Sequence, residues 1–147
     1  MITIIKAVIA KMVADGHDID CVYGERWVHG FKSDKIEKIT FFVTPQEYSY
    51  DTNTGEKLVN LKWMVAKEVD QSEIDEDINI SLESTIETMN LHFIQELKRY
   101  VDVNDRQLIN DFQTVKCTAF HDITLLSHSG VGFLCEVQFK QILLSSC

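Results

Sequence analysis

Three groups of residues carry the side chains that chemistry would need. Residues 67–77, KEVDQSEIDED, hold six carboxylates. Carboxylates this dense could bind calcium or magnesium, but the spacing does not give the EF-hand ladder and no glycine occupies the sixth loop position. The run reads instead as a solvated helix start, where acidic side chains meet the positive end of the helix dipole. His121, Asp122 and His128 form the second group. An imidazole near a carboxylate could move a proton or hold a metal. Neighbouring strand residues point to opposite faces, however, so His121 and Asp122 would not converge on one atom, and His128 falls in a predicted turn. The third group, SHSGVG at 127–132, precedes a strand and not a helix, so no helix N-terminus waits there for a phosphate. There is no Walker loop, nucleophile elbow or HExxH pair. The expectation is a protein with no catalytic residues, no cofactor and no metal.

The four cysteines are Cys21, Cys117, Cys135 and Cys147. None lie in a CxxC pair or at a zinc-ligand spacing from a histidine. Cys117 and Cys135 fall on the apolar faces of alternating segments and read as small buried hydrophobes in a reducing compartment. The apolar opening MITIIKAVIAKMVADG is broken by Lys6 and Lys11, has no signal-peptide layout and is too short to span a membrane. It reads as a cytosolic helix.

Ile2, Ile5, Ile9 and Met12 recur at helical spacing, and Ile4, Val8 and Val13 widen the stripe beyond one face. A helix so apolar needs cover on more than one side, from the core or from a neighbouring subunit. Asp15-Gly16 ends it, since glycine suits the left-handed residue after a helix. Strands are predicted from alternation at Ile19/Cys21/Tyr23, Trp27/His29/Phe31, Ile39/Phe41/Val43 and Val59/Leu61/Trp63/Val65/Val69. Their closeness in sequence suggests antiparallel pairing. Residues 44–57, TPQEYSYDTNTGEK, read as a long hairpin loop carrying Tyr48, Tyr50, Asp51 and Asn53 as candidate binding residues.

Ile78, Leu82, Ile86, Met89, Phe93, Leu97 and Val101 predict a long helix over 75–101, although Ser84 and Glu87 form a capping-box pattern that would start it later. A closing hairpin follows. Val115, Cys117, Ala119, Ile123 and Leu125 face one way, Val131, Phe133, Cys135, Val137 and Phe139 face the same core, and residues 127–130 make the turn. The expected fold is a single α+β domain over 1–147: an antiparallel sheet of about five to six short strands with an apolar N-terminal helix and one long helix packed on it.

A chain of 147 residues, 45% hydrophobic and 25% charged, suits one globular domain. Its formal charge of −9 disfavours binding to phosphate backbones or to anionic lipid.

The order of these elements, with Gly-Glu-Arg-Trp at 24–27 and Gly-Val-Gly at 130–132, resembles the small neck and tail-completion proteins of tailed bacteriophages, of the tail-terminator or head–tail joining type. The resemblance covers most of the chain. It implies a non-enzymatic virion component in the neck or tail, assembled in the host cytoplasm as a homo-oligomeric ring, a hexamer or dodecamer. Portal, connector or tail-tube proteins would be its neighbours and DNA only a passing cargo. The ring contacts would fall on Ile2, Ile5, Ile9 and Met12 of the first helix and on Tyr48, Tyr50, Asp51 and Asn53 of the 44–57 arm. Two competing expectations are a cytosolic protein-interaction adaptor using the same arm and a small metal-dependent enzyme using His121, Asp122 or His128.

Overall fold

A computed structural model describes residues 1–23, 38–44, 46–69, 76–125 and 128–142, with backbone alone at 76–79, 122–125 and 128–129. The elements are helix α1 (Ile2–Ala14), strands β1 (Ile19–Tyr23), β2 (Ile39–Val43), β3 (Glu47–Asp51) and β4 (Glu56–Val69), helix α2 (Glu76–Lys98), and strands β5 (Ile109–Asn110), β6 (Lys116–Leu125) and β7 (His128–Ile142). The fold is α+β, as the hydrophobic periodicity predicts. Among the described residues its sheet has seven strands, mostly antiparallel. The predicted strand around Trp27 and the turn at 24–27 lie outside the described residues.

Long β4 and β7 pair antiparallel from Glu56↔Ile142 to Val69↔Ser129 and form the spine of the sheet. β2 and then β3 run along the free edge of β4. β5 and β6 share the free edge of β7. β1 adds an outer lane and pairs parallel to β2, from Ile19↔Ile39 to Tyr23↔Val43. This parallel pair corrects the antiparallel expectation. Residues 24–38 separate the two strands, and a link of that length is enough for the crossover that parallel pairing requires.

The 44–57 segment is not a loop. Glu47 to Asp51 form a strand that pairs with Asn60 to Glu56, and only residues 52–55 turn. The lane is interrupted between β2, which ends at Val43, and β3, which starts at Glu47. Side chains carry the pairing across the gap: Thr44 Oγ1 donates to the Lys62 carbonyl at 3.2 Å, and the Lys62 N–H donates to Gln46 Oε1 at 3.3 Å.

Alternation divides the sheet into two faces. On the front face Val59, Leu61, Trp63, Val65 and Val69 of β4 meet Val131, Phe133, Cys135, Val137 and Phe139 of β7, and both helices cover them. α1 contributes Ile4, Ile5, Val8, Ile9 and Met12, and α2 contributes Ile86, Phe93 and Leu97. Phe93 lies 4.9 Å from the Phe41 ring and edge-on to Trp63 at 5.2 Å. Each such pair is worth about 0.5–1.5 kcal/mol beyond the area it buries. On the rear face, which carries neither helix, Phe42, Met64, Ala66 and Phe120 form a second, smaller buried cluster.

The helix ends follow local chemistry. α1 closes with Gly16 at φ 97°, where the Gly16 N–H donates to the Val13 carbonyl and the His17 N–H to the Met12 carbonyl. This is a Schellman cap, and an alanine at position 16 would cost about 1 kcal/mol. α2 starts at Glu76, so the capping-box residues Ser84 and Glu87 lie inside it, and it ends before Val101. A tight turn stabilised by Asp102 follows, with the Asn104 and Arg106 N–H groups donating to its Oδ1 at 2.9 Å each.

Three further details depart from the sequence expectation. β5, only two residues long, is too short for any alternation to reveal. Val115 precedes β6 and does not belong to it, and His128 already belongs to β7. β6 also shifts register between Phe120 and Ile123. The pairing is regular up to Phe120, which lies opposite Gly132 and adds a buried aromatic to the rear cluster, on a face to which simple alternation assigns no core residue; the shift moves Ile123 opposite Gly130.

At Gly132 the two spine strands leave no room for a side chain. A Cβ placed there would lie 2.0 Å from the Val65 carbonyl oxygen and 2.8 Å from the Ala66 Cα. Both atoms are backbone, so the clash cannot be relieved by a rotamer change. Gly132→Ala should therefore destabilise the protein by at least about 2 kcal/mol. A urea-denaturation midpoint unchanged from wild type would show that the spine can open without cost.

Candidate interaction surface

The rear face offers the main unoccupied surface among the described residues. A groove of about 460 Å³ crosses it, lined by Thr44, Lys62 and Met64 on one side and by Lys116, Thr118, Leu134 and Glu136 on the other. Period-two spacing aligns Lys62 and Met64 along β4 and Leu134 and Glu136 along β7. Leu134 is 46% exposed on the groove floor, an unusual position for a leucine in the middle of a sheet. Lys62, Lys116 and Glu136 place charges around this apolar floor. A second groove, of about 370 Å³, lies between Ala7, Val8 and Lys11 of α1 and Glu96, Arg99 and Tyr100 at the end of α2.

The β3–β4 hairpin carries three more exposed apolar side chains, and others lie on α2 (Ile80, Leu91) and just after it (Val101, Val103). Tyr48 pairs across with Val59 and Tyr50 with Lys57, so both tyrosines point to the front side, while Leu58 points to the rear with the groove residues. Tyr50 is 62% exposed, and Tyr48 and Leu58 are also exposed. Lys57 Nζ lies 3.5 Å from the centre of the Tyr48 ring, a cation–π contact that holds one tyrosine in place. Tyr50 has no comparable contact among the described residues.

Asp51 and Asn53, two candidate binding residues, belong to the turn. Asp51 Oδ1 accepts from the Asn53 and Thr54 N–H groups at 2.9 and 3.4 Å, and the Asp51 carbonyl accepts from Gly55, which adopts φ 70°. Asp51 therefore shapes the hairpin tip. The donated backbone hydrogen bonds, first that of Asn53 and then that of Thr54, hold its carboxyl below the usual carboxylate range. Asp102 is lowered in the same way, first by the Arg106 N–H.

The first helix does not supply the broad contact face expected of it. Ile5 and Met12 are fully buried in the chain's own core and Ile9 nearly so. α2 and the sheet already cover the stripe they form, so these three side chains cannot serve a neighbour. Ile2 and Val13, about half exposed at the two ends of the helix, are what it leaves uncovered.

The residues singled out for chemistry are scattered. His121 on β6 contacts Glu83 on α2 through Nε2 and Oε2. The side chains of Asp122 and His128 lie outside the described residues, as do residues 70–75 of the acidic run. Glu68, which begins that run, is not solvated: it is 5% exposed on β4, and neither carboxylate oxygen has a hydrogen-bond partner among the described residues. Burial pushes the Cys21 thiol up to about 11, which makes it a poor nucleophile at neutral pH. No group of three or more His, Cys, Asp or Glu side chains among the described residues could hold a metal ion.

One polar cluster inside the core was not foreseen. The Trp63 indole N–H donates to Asn90 Oδ1 at 2.8 Å, and Asn90 Nδ2 lies 3.3 Å from Cys135 Sγ and 3.6 Å from Cys117 Sγ. Asn90 sits on the buried stripe of α2 between Ile86 and Phe93, and a polar residue on such a stripe is the signal that could have revealed it. Cys135 is buried, but Cys117 is exposed. The expectation of two buried cysteines fails because β6 occupies an outer lane of the sheet, where alternation still marks an apolar side but little covers it.

The sequence matches no protein-family model and no curated protein. No helix among the described residues is long and apolar enough to cross a membrane.

Two predictions concern this surface and its support. Asn90→Ala leaves the Trp63 N–H without its acceptor in the core and should cost about 1–3 kcal/mol in urea denaturation. An unchanged midpoint would mean that water replaces the amide. Asp51 and Asp102 have folded-state values below their unfolded ones, so the stability they contribute is present above about pH 4 and is lost as pH falls through the lower, folded values. Thermal melts should therefore fall on acidification below about pH 4, and Asp51→Asn should flatten part of that slope. A slope identical in the variant would remove Asp51 from the account.

Proposed function

We propose that this protein is a structural virion component of a tailed phage, assembling as an oligomeric ring at the head–tail junction or tail end. The observation that carries the proposal is the pairing of two complementary surfaces within one subunit. A hairpin arm exposes Tyr50 and Leu58, and a separate groove on the helix-free face exposes Leu134. Contact between different patches on successive copies is heterologous, and such contacts close into rings when the rotation allows. Opposite charges can meet across the contact: the arm carries Glu47, Asp51 and Glu56 beside Lys57, and the groove rim carries Lys62 and Lys116 beside Glu136. The α+β order of elements agrees with the resemblance to tail-terminator and head–tail joining proteins. The net charge of −9 would let DNA pass a ring lumen without adhering.

A protein-interaction adaptor is the second reading, favoured by the exposed tyrosines of the arm, which suit a partner other than a second copy.

Light scattering after size exclusion, over a concentration series and with tail proteins added, separates the two. A ring subunit should form a closed oligomer, and Tyr50→Ser or Leu134→Lys should weaken it at least tenfold in dissociation constant, about 1.4 kcal/mol. A strict monomer at every concentration, with no assembly on tail proteins, would rule the ring out. Oligomers unaffected by either substitution would place the contact elsewhere.

A further inference from the structure

We propose that Cys117 and Cys135 form a thiol–disulfide exchange site, a dithiol built to react with small-molecule disulfides of the glutathione class and to close into a cross-strand disulfide. The proposal is independent of the ring.

Three observations carry it. First, the two residues are direct partners in the β6–β7 register, Cys117↔Cys135. Directly opposed antiparallel residues have Cα atoms about 4.5 or 5.5 Å apart, and both separations fall within the range a disulfide spans. Second, one amide nitrogen, Asn90 Nδ2, lies within 3.6 Å of both sulfurs, so both side chains point into the same space. Third, the pair is asymmetric, with Cys117 exposed and Cys135 buried. An exposed thiol that meets the reagent first, backed by a buried one that resolves the adduct, is the arrangement that exchange chemistry uses.

The steps balance. The Cys117 thiolate attacks one sulfur of the reagent RS–SR, forms a mixed disulfide and releases RS⁻. Cys135 then loses its proton and attacks Cys117 Sγ, and the protein disulfide forms as the second RS⁻ leaves. The two protein thiols give up two electrons and two protons, and the reagent becomes two RSH. Burial and the adjacent Cys117 push the Cys135 thiol up, so Cys135 is a resolving group and not an initial nucleophile. The Asn90 amide, which reaches both sulfurs, is placed to stabilise the thiolate as it forms.

The bond would fasten β6 to the spine. Among the described residues, β7 is the only strand that pairs with β6. A covalent link at position 117 would restrain the part of this edge lane that precedes its register shift.

The test uses the full chain. Trypsin cuts after Lys116 and Lys140, so a single peptide, residues 117–140, contains both cysteines and no other. The folded protein is incubated with oxidised glutathione, denatured, alkylated, digested and weighed by mass spectrometry. The proposal expects peptide 117–140 two hydrogens lighter and without alkyl groups. Cys117→Ser should lower the modification of this peptide at least about tenfold, because the remaining thiol is buried. A peptide with one glutathione and one alkyl group would mean that Cys135 does not resolve the adduct. A peptide with two alkyl groups would mean that the pair does not react. Either result overturns the proposal. Circular dichroism of Cys117→Ser, whose substitution is at an exposed site, confirms that the comparison is made on folded protein.

Discussion

The other elements of the fold depend on the pairing of β4 with β7. These two strands run side by side over the whole of β4, and each carries a shorter pair of strands on its outer edge. The constraint that makes this spine possible is steric. The strands approach so closely at Ala66 and Gly132 that no side chain larger than hydrogen fits at position 132. Close approach also buries the rear cluster, because Phe42, Met64 and Phe120 gather around the same small residues.

The spine explains why one face of the sheet is a core and the other a surface. On the front face, two helices cover nearly every inward side chain of β4 and β7. The apolar stripe of α1, which by its sequence looks too broad for one subunit, is in fact largely absorbed by α2 and the sheet. On the rear, burial ends where Met64 gives way to Leu134, Lys62 and Glu136. Exposed apolar side chains lie on this rear face, on the hairpin, on and just after α2 at Ile80, Leu91, Val101 and Val103, and at the two ends of the first helix.

The sequence made the broad plan legible and lost its joints. Strong periodicity located α1, α2, β4 and β7, because each buries a long regular stripe that repeats at 3.6 or 2 residues. It failed where regularity breaks. The Thr44 and Gln46 side chains bridge an interrupted lane, so a segment rich in turn-forming residues looked like a loop. The register shift after Phe120 sets Ile123 opposite Gly130, and period-two spacing does not show such a slip. β5 has too few residues to show any period. The candidate site suffered most, because alternation reports which side a residue faces and not how far the cover extends. Cys117 and Ile9 both read as apolar-face residues, yet one is exposed and the other nearly sealed.

The splice at Thr44 and Gln46 has a mechanical consequence. Two side-chain hydrogen bonds to Lys62 replace continuous backbone pairing at the root of the hairpin. The edge lane thus behaves as two planks joined by a pin, with the outer plank seated on the far end of β4. Changes at the pin would alter only how β2 hands over to β3, because the outer plank is laced to β4 from Asn60 to Glu56, and those same residues are laced to β7. The tyrosine-bearing plank is thus braced by the spine and can tolerate a loose joint at its root.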